Sequence, residues 1–105
     1  MYGTGNIFIG YQAGKNTTAY GPATSNILYI ENSDSNTPLI YGNFASDSLV
    51  INGDLTVTGR VTFPTGNVPY NNYSQGTQGQ IVYGEDYIYI CVQPDEWKRV
   101  ALSTW

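Results

Sequence analysis

Two adjacent pairs of acidic residues carry the side chains in this sequence best suited to acid–base chemistry. They are Glu85-Asp86 and Asp95-Glu96. Two carboxylates about 5–9.5 Å apart can hydrolyse a glycosidic bond, because one protonates the leaving oxygen while the other acts as nucleophile or base. Both pairs lie in turn-forming sequences, "GEDY" and "QPDEW", and Pro94 favours the second turn. We therefore expect solvated hairpin tips and no enzyme activity.

Other side chains that could bind a metal or act as a nucleophile are scarce. Residues 32–36, "NSDSN", resemble the start of a calcium loop, but Thr37 and Asn43 stand where that loop needs glycine and glutamate. A surface turn is favoured, with a weak cation site as the alternative. With no histidine and one cysteine, Cys91, a Cys/His zinc site and an intrachain disulfide are excluded. We predict that Cys91 is buried and that the chain has no cofactor.

The elements that hold these side chains are predicted to be β-strands, because no segment of the chain shows helical periodicity. In residues 87–93, Ile88, Ile90 and Val92 are expected to face a core, with Tyr87, Tyr89 and Cys91 on the opposite face, so that both faces are covered, as at an interface. The candidate strands are rich in β-branched and aromatic residues and are bounded by turn formers. They are residues 7–9, 27–31, 39–41, 49–52, 55–58, 61–63, 80–83, 87–93 and 97–102.

The composition limits the partners. The 105 residues carry a net charge of −4, and we expect no nucleic-acid partner because the basic residues Lys15, Arg60, Lys98 and Arg99 look scattered. No apolar run approaches the roughly 20 residues of a membrane span, so we expect a soluble fragment without membrane insertion. Charged residues make up 11% of the chain. The average is about 25%, and such a low value favours burial against partners.

A six-residue repeat occupies the centre of the chain. Residues 51–62, "INGDLTVTGRVT", place apolar side chains or glycine at odd positions and polar side chains at even ones, as an extended chain requires. A shaft in which strands from several chains bury one stripe is favoured; a hairpin turning at Asn52-Gly53 and a hexapeptide acyltransferase helix are the alternatives. In the shaft, the homotrimer interface comprises Leu49, Ile51, Gly53, Leu55, Val57, Gly59, Val61 and Phe63.

The N-terminal third contains a second internal similarity, between "GNIFIGY" from Gly5 and "SNILYIE" from Ser25. This similarity predicts two stacked β-turns twenty residues apart. The stretch containing "NIFIGYQAG", and the ending "GQIVYGEDYIYICVQPDEWKRVALSTW", resemble fibre proteins of tailed bacteriophages; "NIFIGYQAG" is also similar to repeats of trimeric adhesin heads. The resemblance implies a homotrimeric fibrous β-structure in a virion tail or head fibre.

We accordingly predict an all-β trimeric fibre fragment, the distal part of a longer fibre. Its parts are an N-terminal β module over residues 1–48, a connector over 49–63, a loop over 64–79 and an antiparallel β module over 80–105. The expected function is attachment to a host-surface glycan or protein, and the alternative is a purely structural capping, trimerisation or capsid-decoration module. Tyrosine suits recognition of sugars and proteins. The candidate receptor contacts are Tyr70, Tyr73, Tyr83 and Trp97.

Overall fold

The computed structural model describes residues 3–15 and 25–105, and this part of the chain contains β-strands but no α-helix. The prediction of an all-β chain is therefore confirmed. No helix in the described residues is long and apolar enough to cross a membrane. The chain divides into two compact units, Met1–Thr58 and Gly59–Trp105. The strands are β1 (Ile7–Ile9), β2 (Ile27–Ile30), β3 (Ile40–Asn43), β4 (Ser48–Ile51), β5 (Ile81–Tyr83), β6 (Tyr87–Gln93) and β7 (Glu96–Ala101).

The N-terminal unit contains a four-stranded sheet in the order β1-β2-β3-β4. Strands β1 and β2 are parallel, and the other two pairings are antiparallel. The two similar segments lie side by side as parallel strands and not as the stacked β-turns that were predicted, and the register pairs Ile7 with Leu28, an offset of 21 residues instead of 20. This register places Phe8 and Tyr29 side by side on one face of the sheet. A shift of one residue would put the two rings on opposite faces.

One face of this sheet is aromatic and carries the core of the unit. The rings of Phe8 and Tyr29 pack edge to face with centroids 6.0 Å apart, and Tyr41 packs against Tyr29 at 6.3 Å. Tyr29 is only 3% exposed, and its hydroxyl donates a hydrogen bond to the carbonyl of Ser35. Ile27, at the start of β2, is also buried. The chain itself thus covers the centre of the aromatic face at Tyr29, whereas Val50 on the same face is 45% exposed.

The opposite face is aliphatic, and none of its side chains is buried in the single chain. We call it the open aliphatic face. Gly42 lies between Leu28 and Leu49 on this face, where a Cβ would stand only 3.0 Å from the Cβ of Leu28. Val50 points to the other side, as the alternation predicts. The members of the face are Ile7, Ile9, Leu28, Ile30, Ile40, Leu49 and Ile51.

The strands predicted over residues 55–58 and 61–63 do not form in the single chain, because this part of the backbone has no ladder partner. The hairpin alternative is also wrong. A type I′ turn needs positive φ at Asn52 and Gly53, and neither residue has it. Asn52 instead donates from its backbone to the carbonyl of Leu39 (2.9 Å) and from its amide to that of Pro38 (2.8 Å).

The C-terminal unit contains an antiparallel sheet in the order β5-β6-β7, as predicted. Pro94 and Asp95 form the turn between β6 and β7, with Asp95 at φ 57°. The buried apolar residues of this sheet are Cys91 and its cross-strand neighbour Trp97. Burial of Cys91 is therefore confirmed.

The prediction that both faces of the C-terminal sheet are covered is wrong for one of them. The covered side is that of Tyr87, Tyr89 and Cys91, because Trp97 and the loop preceding β5 lie over it. The isoleucine side, expected to face a core, is the open one: Ile90 and its partner Ile81 are exposed. Alternation indicates two different faces but cannot say which one the chain covers.

The predicted divisions of the chain differ in detail from the two compact units. The connector predicted over residues 49–63 begins inside the N-terminal sheet, since Leu49 to Ile51 pair with β3. Its last residue, Phe63, accepts a hydrogen bond through its carbonyl from the hydroxyl of Tyr83 (2.8 Å) in the C-terminal unit. The segment predicted as a loop, residues 64–79, belongs to that unit as well.

The carboxylate of Glu31 fixes the loop between β2 and β3. It accepts hydrogen bonds from the hydroxyl of Ser33 and from the backbone N–H of Leu39 (3.0 Å). The bond from Ser33 is the main reason, and that from Leu39 the next, why the pKa of Glu31 lies below its ordinary value of 4.5. The ionised form is the one that holds the loop.

We expect Glu31→Gln to destabilise the protein at neutral pH and this difference from wild type to vanish in acid. Because the folded pKa is depressed, the stabilisation is fully present above the unfolded pKa and is lost as the pH falls through the folded pKa, below 4.5. Thermal denaturation between about pH 7 and about pH 3 measures the difference. Glu85→Gln, which removes an exposed hairpin-tip carboxylate, is the control. A difference that stays constant over this range would contradict the assignment.

Candidate functional site

A groove of about 320 Å³ lies in the C-terminal unit, between the segment 69–72 and the covered face of the sheet. Its volume is at the lower end of the range of roughly 300–1,000 Å³ that is usual for ligand sites. Aromatic, amide and basic side chains share its lining. The residues are Pro69, Tyr70, Asn71, Asn72, Tyr89, Trp97, Lys98 and Arg99.

Trp97 connects the outer wall of the groove to the sheet. Its backbone N–H donates to the carbonyl of Asn72 (3.1 Å), and its indole Nε1 donates to the carbonyl of Ser74 (2.9 Å). The indole also lies over Gly76, where a Cβ would come within 2.6 Å of ring atoms. Asp95 adds a third connection, because its carboxylate accepts from the N–H of Gly76 (2.9 Å).

The segment that carries Tyr70 is a turn closed by its own side chains. Asn71 accepts from the backbone N–H of Tyr73 (2.8 Å) through Oδ1, and its own N–H donates to Oγ of Ser74 (3.0 Å). Side-chain bonds of this kind hold a turn without any strand pairing. Tyr70 lies just before the turn and is 96% exposed, so its ring is available to a ligand.

The strand side of the groove is basic. Arg99 is the cross-strand partner of Tyr89, and its guanidinium lies 4.0 Å from the centroid of the Tyr87 ring in a cation–π contact. Lys98, next to it on β7, is exposed but pairs with Ile90, so its side chain lies on the opposite face of the sheet. The eight lining residues include no acidic residue, in a chain whose net charge is −4. The guanidinium of Arg99 therefore gives the groove a local positive charge on an acidic protein.

The structure brings together two of the four candidate receptor contacts. Tyr70 and Trp97 line the same groove, although Trp97 is only 6% exposed and can offer no more than an edge. Tyr73 is 77% exposed but does not line the groove, and Tyr83 lies on β5 with its hydroxyl bonded to the carbonyl of Phe63. A receptor role for the four side chains stays a prediction.

The other lining residues were not predicted from the sequence. Two of the four basic residues of the chain, Lys98 and Arg99, are adjacent in sequence, which contradicts the description of the cations as scattered. Nothing in the sequence places residues 69–72 opposite Tyr89, because that contact depends on how the preceding segment crosses the sheet.

Most of the predicted interface residues are exposed in the single chain. Leu49 and Ile51 belong to the open aliphatic face, and Leu55, 72% exposed, has no strand partner. Around Gly59 there is open space, since an added Cβ would meet nothing within 4 Å, whereas at Gly53 it would lie 3.3 Å from Leu39. The other exposed members of the predicted interface are Val57, Val61 and Phe63.

The acidic pairs lie at the tips of two successive hairpins, at opposite ends of β6. Glu85 and Asp86 lie in the turn between β5 and β6, while Asp95 and Glu96 follow the other end. A seven-residue strand spans about 20 Å, which exceeds the carboxylate separation of glycoside hydrolases. Asp95 is not merely solvated, because it bonds Gly76.

The calcium-like segment, residues 32–36, forms a hydrogen-bonded turn. Its serine hydroxyls bond neighbouring groups: Oγ of Ser33 accepts from the N–H of Ser35 (3.2 Å), and Oγ of Ser35 accepts from the N–H of Thr37 (3.0 Å). These bonds are typical of a surface turn.

Comparison with known proteins gives no relative: the chain matches no protein-family model, no curated protein and no solved structure. Function must therefore be argued from the residues and their geometry.

We expect Gly76→Ala to destabilise the C-terminal unit by about 1–3 kcal/mol, because the new methyl group would displace the indole of Trp97 from a packed position. The matched control is Gly84→Ala, whose Cβ would make only an ordinary contact, 3.4 Å from Val68. Urea denaturation followed by tryptophan fluorescence measures both. Equal stability of the two variants would show that Trp97 does not hold the loop as described.

Proposed function

We propose that this chain is a subunit of a virion fibre, that three copies assemble in parallel, and that the assembled fibre attaches to a host-cell surface. The observation that carries the first part is the amount of aliphatic surface that each unit leaves uncovered. The second part depends on the groove. The resemblance of the sequence to phage fibre proteins gives the biological context.

The open aliphatic face supports self-association. Its seven side chains belong to strands of one sheet, carry no charge and are not buried in the single chain. Burial of one large apolar side chain is worth about 1.5–3 kcal/mol, so a partner that covered this face would be strongly favoured. In the C-terminal unit, Ile81, Ile90 and Val100 are also exposed on one face of the sheet, which in addition carries Lys98 opposite Ile90.

A second copy of the chain is the occupant that fits best. Copies related by a rotation axis bring identical faces together, and a parallel arrangement gives every copy the same environment. Three copies also supply strand partners for residues 55–63, which have none within one chain. The open space at Gly59 fits this arrangement, because a residue without Cβ lets another backbone approach closely.

We expect sedimentation equilibrium to give a trimer of the 11.5 kDa chain, and Val57→Asp to abolish it. A trimer of this variant would bury three carboxylates at one level, and each uncompensated buried charge costs several kcal/mol. Val57 is 46% exposed and outside the strands, so the variant should not unfold the single chain itself. Ile51→Asp, on the open aliphatic face, should affect assembly and folding together.

The matched control is Thr56→Asp, which places the same charge on the polar side of the alternating segment. It should remain trimeric. A folded monomer of the wild type at micromolar concentration would contradict the trimer, and dissociation of both variants alike would contradict the assignment of faces.

Binding to cells distinguishes host attachment from a purely structural role. If the fibre attaches, the fluorescently labelled wild-type oligomer should bind intact bacteria of a susceptible strain, and Tyr70→Ala should reduce binding at least tenfold without changing the oligomeric state. Tyr70 is exposed and makes no hydrogen bond through its side chain in the structure, so this variant should fold normally. Equal binding by Tyr70→Ala, or none by wild type across a panel of bacterial strains, would favour the structural capping module.

A further inference from the structure

We infer that the groove of the C-terminal unit is a saccharide site that selects sugars carrying a carboxylate. This inference deepens the proposed function and rests on it for the biological source of the sugar, a host-surface glycan. The binding event itself depends only on the groove.

The aromatic residues indicate a sugar. The ring of Tyr70 is almost fully exposed beside Pro69, and the edge of Trp97 lies in the same lining. An aromatic ring with a hydroxyl gives a rigid apolar surface and a hydrogen-bonding group at low entropic cost, as a sugar with one apolar face requires. The volume of about 320 Å³ suits a terminal sugar better than an extended chain.

The amides supply hydrogen bonds for hydroxyl groups. Asn71 uses Oδ1 within its turn, bonding the N–H of Tyr73, and its Nδ2 has no partner among the hydrogen bonds of the described structure. The backbone carbonyl of Asn72 accepts the hydrogen bond from Trp97, and the side-chain amide of Asn72 has no partner among the hydrogen bonds of the described structure. Each amide carries donors, and Asn72 also carries a free acceptor, for ring hydroxyls.

Arg99 indicates the carboxylate. Its guanidinium lies on the groove side of the sheet, no acidic side chain lines the groove, and Arg99 forms no ion pair within the described residues. The cation–π contact with Tyr87 holds the guanidinium of Arg99 on the strand side of the groove. A guanidinium presents several donors to a carboxylate in a fixed plane, whereas a neutral sugar would leave its charge unused.

The test uses D-glucuronic acid and D-glucose, which differ at one carbon in carrying a carboxylate or a hydroxymethyl group. Saturation-transfer NMR titrations with the assembled wild-type protein should show binding of glucuronic acid about tenfold tighter than that of glucose or more, because hydrogen bonds to a charged group are the stronger ones. Added salt should weaken glucuronic acid binding more than glucose binding.

Matched variants assign the binding to the groove. Tyr70→Ala should weaken binding of both sugars, while Tyr73→Ala, which removes an exposed ring outside the lining, should not. Arg99→Gln should reduce the preference for glucuronic acid, and Arg60→Gln, the same change of charge outside the lining, should leave it intact. Circular dichroism of every variant verifies the fold. Arg99→Lys, which keeps a cation for the Tyr87 ring but loses the planar set of donors, should also reduce the preference and is the informative variant if Arg99→Gln unfolds.

Several results would overturn the inference. They are absence of binding, equal affinity for the two sugars, binding insensitive to Tyr70→Ala, and tighter binding of a triglutamate peptide than of glucuronic acid, which would assign the groove to acidic peptides. Sedimentation equilibrium on the same samples separates this question from the proposed function. If the protein is a trimer but binds no sugar, only the assignment of the groove is contradicted. If it is a monomer that binds glucuronic acid, only the fibre proposal is contradicted.

Discussion

A β-sheet has two faces, and residues 3–15 and 25–105 pack over only one face of each of the two sheets. The covered faces hold the buried apolar residues of the described structure: Ile27 and Tyr29 in the N-terminal unit, and Cys91 and Trp97 in the C-terminal unit. The loops of the described residues pack on the aromatic face of one sheet and on the Trp97 face of the other. The opposite, aliphatic faces are therefore left uncovered by the described residues.

The same constraint explains why the sequence is poor in charge yet has little core. Charged residues amount to 11% of the chain, and several strands place an aliphatic side chain where a monomeric sheet would place lysine or glutamate. Exposing a face with seven aliphatic residues and no charge to water is unfavourable in free energy, and such a face can pack against the same face of another copy. The proposed trimer resolves this cost without any additional segment.

In the C-terminal unit one side chain connects stability with the groove. Trp97 is buried against Gly76 and bonds the carbonyls of Asn72 and Ser74, so the segment before β5 becomes a fixed wall. Without that wall, Tyr70 and Arg99 would lie on an open surface. The indole therefore contributes mainly by holding other groups in place, and this role differs from the receptor contact expected for it.

Interactions between residues close together in sequence determine much of this fold. Alternation of apolar and polar residues, β-branched and aromatic runs, and turn formers such as Pro94-Asp95 predicted an all-β chain, the three C-terminal strands and the separation of Val50 from Leu49 and Ile51. The sequence also predicted Tyr70 as a candidate contact, because its type suits recognition.

The tertiary structure alone decided the features that depend on contacts between residues distant in sequence. They are the register of β1 on β2, the covered side of each sheet, the pairing of Asn52 with Leu39, and the meeting of Tyr70 with Arg99 across the groove. A period of two residues specifies that two faces exist, but only packing against the rest of the chain specifies which face is covered.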